Sequence, residues 1–202
     1  MSFSRPPLTG RNLDLGERAS ADLCFIRETM DRASAFAAVP GLGWIIMGGT
    51  ALVTALAATR TGSTAEWLAL WVVAAGLSAT IGTSFLVHKA RRVGQSLESR
   101  VGLRFFGTLV PPLVAGAALT AVFVDAGLEA RLPGLWLLSY GVAVTGTGNI
   151  SLKLVTWAGV VFMALGLCAL AAPAALGDLW MALGFGGAHM VFGWQIARRH
   201  DG

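Results

Sequence analysis

Few residues in this chain have the chemistry of a site, and His189 is the sharpest of them. It sits in Gly184-Phe185-Gly186-Gly187-Ala188-His189-Met190-Val191-Phe192-Gly193, inside a long charge-free stretch. It precedes Arg198 by nine residues, which puts it roughly 13 Å from that charge along a helix. An imidazole surrounded by hydrocarbon must find a hydrogen-bond partner. It therefore either bonds to a Ser, Thr or Asn of a neighbouring helix or holds a ligand, and haem b is a ligand that its nitrogen suits.

His88 invites a two-histidine haem site, but its depth argues against it. It lies only three residues before Arg91, about 5 Å from a basic segment, so the two rings are offset by about 8 Å. His88 is better read as an interfacial residue, and His200 as part of a tail. Tyr140 is the only tyrosine, and it lies within another charge-free stretch. Asn149 belongs to the polar run Thr145-Gly146-Thr147-Gly148-Asn149-Ile150-Ser151. That run either lines a cavity or closes a tight turn between two helices. His189, Tyr140 and Asn149 are thus the candidate ligand-binding residues. No catalytic residue is nominated, and the only metal reading is His189 as a haem ligand.

Other chemistry is missing from the sequence. There is no Cys-x-x-Cys, His-Glu-x-x-His, Gly-x-Ser-x-Gly or phosphate-loop motif. Cys24 and Cys168 lie on different segments and imply no disulfide framework. Ion-coupled pumps usually carry Asp, Glu, Lys or Arg within their spans, and none of these lies in the long apolar stretches here. These absences favour a non-enzymatic protein that binds a partner protein or a small apolar ligand. The alternatives are a channel or facilitator for small neutral solutes, lined by His189, Asn149 and Tyr140, and a haem-binding electron carrier using His189.

The elements that must position these residues are membrane helices. Six stretches contain no Asp, Glu, Lys or Arg: 33–59, 67–87, 105–124, 132–152, 154–177 and 179–197. A helix needs about 20 predominantly apolar residues to cross a bilayer. Hydrophobic residues make up 55% of the chain and charged residues 13%, against about 25% charged in an ordinary soluble domain. The net charge of +4 does not point to nucleic acid, because the basic residues gather at the ends of apolar stretches.

The expected fold is all-α: six transmembrane helices as three antiparallel hairpins, preceded by a short cytoplasmic amphipathic helix. Residues 1–38 form the cytoplasmic N-terminal segment, 39–197 the membrane domain and 198–202 a cytoplasmic tail. With both termini inside, 13 basic residues face the cytoplasm and only Arg60 and Arg131 face outward. That asymmetry is a positive-inside signal and places the protein in the cytoplasmic (inner) membrane. Trp67, Trp71, Trp136 and Trp180 fall near the outer ends, and Trp44, Trp157 and Trp194 near the inner ends, as an aromatic belt requires.

Acidic residues ahead of any apolar core rule out a signal-peptide reading of the N-terminus. Over residues 20–36, Leu23, Ile26, Met30, Ala33 and Ala37 recur at helical spacing, which predicts the amphipathic helix. Pro111-Pro112 should kink the third span. Small residues at four-residue spacing, Ala74-Ser78-Gly82 and Gly184-Ala188, should let helices approach closely or mediate a homo-oligomer.

Overall fold

A computed structural model describes residues 39–92, 94 and 96–200, together with Ser20 and Leu23 as isolated helical positions. The chain divides into two compact units, Met1–Ala35 and Phe36–Gly202, and every element named below belongs to the second. The expected amphipathic helix over 20–36 otherwise lies outside the described residues, as does Cys24.

Among the described residues there is no strand. The elements are α1 (Gly41–Ala58), α2 (Thr64–Arg92), α3 (Arg100–Asp125), α4 (Leu132–Gly148) and α5 (Lys153–Ala171), then a final helical stretch over residues 177–200. That stretch is continuous but not uniform. It starts as α6 (Gly177–Met181), widens into a π-helical segment (Ala182–Ala188) and returns to α-geometry in α7 (His189–His200).

Four helices, α1, α2, α3 and α5, are long and apolar enough to cross a membrane. This architecture is that of a membrane-embedded helical bundle. The shorter α4, of 17 residues, is led in by a 3-10 turn at Glu129–Arg131. Pro111 and Pro112 both lie inside α3, which continues through them to Asp125.

Local chemistry explains the ends. Ser99 caps α3, its hydroxyl accepting from the Gly102 amide at 3.1 Å. Gly127 closes the same helix with φ +67, which suits glycine alone. The Leu128 amide then reaches back to the Phe123 carbonyl at 2.7 Å, as in a Schellman closure. The polar run after α4 forms a tight turn, in which the Ser151 hydroxyl donates to the Thr147 carbonyl at 2.9 Å. The Arg131 guanidinium donates to the Leu170 carbonyl, covering orphan acceptors at the end of α5.

The bundle is unevenly packed. α4 lies closest against α5, and α1 closest against the 177–200 stretch; α2 packs on α1, and α3 on α4. Glycines spaced by seven account for the two closest pairs. Gly134, Gly141 and Gly148 of α4 meet Gly159 and Gly166 of α5, while Gly41 and Gly48 of α1 meet Gly186 and Gly193. A Cβ at Gly141 would lie 2.6 Å from the Met163 amide nitrogen and 2.8 Å from the Gly159 carbonyl oxygen. One at Gly48 would lie 2.6 Å from Met190 Cγ, and one at Gly193 2.8 Å from the Gly41 carbonyl oxygen. In lipid, helix association rests on such backbone approach rather than on a hydrophobic drive. A seven-residue repeat keeps the same face toward the partner along the whole contact.

α2 and α3 have no comparable series. At Gly76 and Gly107 an added Cβ would meet nothing within 4 Å. Among the described residues, these two helices do not pack on each other along their length. The result is a tight frame of α1, α4, α5 and residues 177–200, with α2 and α3 standing apart on one side.

Candidate functional site

The gap between α2 and α3 is the mouth of a cavity of about 620 Å³. This falls within the range of about 300–1,000 Å³ typical of small-molecule sites. Small and aliphatic residues of α2, such as Ala75 and Ala79, form one wall, and Leu109, Leu113 and Ala117 of α3 the other. The floor is the frame itself, with Trp44, Tyr140, Phe185 and His189 among the residues that reach it. Among the described residues, no Asp, Glu, Lys or Arg lines the cavity.

His189 is 2% exposed at this floor. Its Nδ1 lies 2.9 Å from the Phe185 carbonyl oxygen, and its Nε2 lies 2.7 Å from the Tyr140 hydroxyl. The His189 amide, at the end of the π-segment, turns to the Gly186 carbonyl, and its side chain meets the Phe185 carbonyl four residues back, as the Thr54 hydroxyl meets that of Thr50.

Four aromatic rings enclose the imidazole. Phe162 and Trp44 present edges to it, with centroids 4.9 and 5.2 Å away. Tyr140 and Phe185 complete the enclosure at 5.1 and 6.1 Å. Tyr140 in turn packs edge-on against Phe162 at 4.9 Å. Edge-to-face pairs of this kind add about 0.5–1.5 kcal/mol each beyond the area they bury. They also fix the two rings whose polar atoms meet.

At the other end of the cavity the indoles form a chain across the bundle. Trp67 donates to Asp178 at 2.7 Å and stacks on Trp136 with centroids 5.4 Å apart. Trp136 donates to the Thr120 hydroxyl at 2.8 Å. The chain therefore links α2, the 177–200 stretch, α4 and α3 across that end. Opposite it, Lys89 of α2 donates to the Val39 carbonyl at 2.8 Å. The cavity is thus bridged at both ends and open at the side.

The sequence-nominated residues separate here. Tyr140 and His189 meet, whereas Asn149 sits exposed at the end of α4, its amide bonded to the Thr145 carbonyl at 3.3 Å. It lies nine residues from Tyr140, about 13.5 Å along the helix, so the three do not form one polar path. Both nitrogens of His189 are engaged; an iron at Nε2 would have to displace the Tyr140 hydroxyl. His88, near the end of α2, and Cys168 are both exposed. Phe185, Phe192 and Ile196, at helical spacing from His189, are buried or half-buried.

Two aromatic assignments change: Trp71, counted near the outer ends, is buried and lines the cavity. Trp44, counted in the inner belt, is buried against the imidazole, while Trp157 and Trp194 remain exposed. Trp44 is held there by the close approach of Gly193, where a Cβ would lie 2.8 Å from Trp44 Cβ. The residues that sequence reasoning missed are Trp44, Phe162 and Asp178, and the seven-residue glycine spacing was the signal that placed the first.

Compared with known proteins, the chain matches no protein family, no curated protein and no solved structure.

Proposed function

We propose that this protein is a non-enzymatic, six-span protein of the cytoplasmic membrane that holds a lipophilic molecule between α2 and α3, admitted sideways from the bilayer. The supporting observation is the apolar cavity of about 620 Å³, lying between two helices that do not pack on each other along their length. An apolar occupant leaves the bilayer core without passing through water, so a side opening is the route it needs. A conduit for polar solutes would instead need a continuous polar lining, and among the described residues charged groups are absent from these walls.

Two features support six passes. The stretch over residues 177–200 is helical throughout, about 36 Å long at 1.5 Å per residue. The 13-to-2 distribution of basic residues fits an even number of crossings with both termini in the cytoplasm.

The test is extraction. Protein purified in mild detergent, with no added lipid, is extracted into organic solvent and the extract weighed against bulk membrane lipid by mass spectrometry. A lipophile enriched to near one per chain is expected. It should be lost in the Ala79→Leu/Ala117→Leu variant, which fills the cavity from both walls. An extract matching bulk lipid in both proteins would sink the proposal.

A further inference from the structure

We infer that the cavity selects a lipophile bearing a hydrogen-bond donor, a long-chain or prenyl-type alcohol, which is read by the oxygen of Tyr140. This rests on the reading that the cavity holds a lipophile, and adds which one.

The argument is an accounting of protons. The Phe185 carbonyl can only accept, so the proton of the imidazole is on Nδ1. Nε2 of a neutral ring is then a bare acceptor, and the Tyr140 hydroxyl must donate to it. Tyrosine has one proton, and that proton is committed. What Tyr140 retains for an occupant is a lone pair. A protonated imidazole would reverse the polarity, but among the described residues no carboxylate lines the cavity to hold the charge, and an unpaired cation at membrane depth is costly.

The remaining polar groups of the wall do not undo this preference. The Thr120 and Thr147 hydroxyls donate to the carbonyls of Gly116 and Val144 in their own helices. Ser78 and Ser139 carry rotatable hydroxyls that donate or accept equally well, so they favour neither kind of head group. Trp71 lines the same cavity with an indole N–H that has no partner among the described residues and can only donate. A hydroxyl serves both fixed groups, accepting from an indole and donating to Tyr140. A ketone, quinone or ether presents an acceptor to an acceptor and forfeits this bond.

Tryptophan fluorescence provides the readout, because Trp44, Trp71 and Trp136 line the cavity. Full-length protein in nanodiscs is titrated with dibromostearyl alcohol and with its methyl ether, whose bromines quench indoles on contact. The alcohol should saturate at a concentration lower by a factor of about 3–10, the worth of one net hydrogen bond. His189→Leu releases the Tyr140 proton for donation, so in that variant the preference should vanish or invert toward the ether. Equal binding of alcohol and ether to the wild type, or an unchanged preference in His189→Leu, overturns the donor assignment. If His189→Leu does not fold, the wild-type comparison still decides. Saturable quenching that disappears in Ala79→Leu/Ala117→Leu, with no alcohol preference, would leave the apolar cavity standing and remove only the alcohol. Quenching that is unsaturable and identical in the filled variant would remove both.

Discussion

The indole N–H of Trp67 and the carboxylate of Asp178 meet at 2.7 Å across 111 residues of sequence. The bond ties α2, which packs along α1 and stacks Trp67 on Trp136 of α4, to the start of the last helical stretch. A hydrogen bond to a charged group contributes about 1.5–3 kcal/mol, less where water reaches it. Trp67→Phe should therefore lower stability by about 1–2 kcal/mol. In a double-mutant cycle with Asp178→Ala, read by thermal or SDS-induced unfolding, the coupling should be about 0.5–2 kcal/mol. Strict additivity would mean that the two groups do not share a bond.

The glycines make opposite predictions by position. Gly141→Leu and Gly48→Val force side chains into backbone of the facing helix and should cost several kcal/mol, as overpacking does. Gly76→Ala and Gly107→Ala meet nothing and should be neutral or stabilising by about 0.5–1 kcal/mol. The same unfolding assay on all four ranks them. A stable Gly141→Leu would show that α4 and α5 do not approach this closely.

Tyr140 and His189 should behave as a unit. Tyr140→Phe leaves a buried nitrogen without its donor, and His189→Leu leaves a buried hydroxyl without its acceptor; each costs about 1–3 kcal/mol. The double variant should be markedly more stable than the sum of the two losses implies, because no orphaned polar group remains. Equal and additive costs would place the two side chains apart.

Threading is tested by reporter fusions. Those after Thr61 and Gly127 should report the outside, and those after Gly94 and at Gly202 the inside, following the positive-inside distribution. An outside signal at Gly202 would require an odd number of spans.

Much of the architecture is legible in the sequence because hydropathy is a sum over many residues. The helix ends of α2 and α3, and the start of α5, follow from charges bounding apolar runs, whereas α5 stops at Ala171, ahead of Pro173 and six residues before its charge-free run ends at Gly177. The burial of His189 follows too, since imidazole in hydrocarbon demands a partner. The partner's identity was less legible: the expected Ser, Thr or Asn is in fact Tyr140, from a helix 49 residues away. Sequence spacing does not encode such an encounter. Small residues were sought at four-residue spacing, the dimer-motif pattern, whereas the closest helix pairs use a spacing of seven. Trp44 illustrates the cost. An indole near a span end reads as belt, and only the backbone approach at Gly193 reveals that it is drawn inward. The π-segment left no trace beyond its glycines, because a wider turn changes the backbone pairing without altering hydropathy.

The pairing of α1 with the last helical stretch also bears on how the protein is made. Gly41 and Gly193 are separated by nearly the whole membrane domain, so α1 enters the bilayer long before its closest partner is synthesised. Its glycine face must wait among lipids while four further helices arrive. α4 and α5, joined by a four-residue turn, can zip together as soon as they emerge. Assembly is thus expected to proceed from the middle of the chain outward, with the first and last helices docking together at the end. A stalled chain in which Leu176 has just cleared the ribosome should contain a protease-resistant α4–α5 hairpin beside an undocked α1.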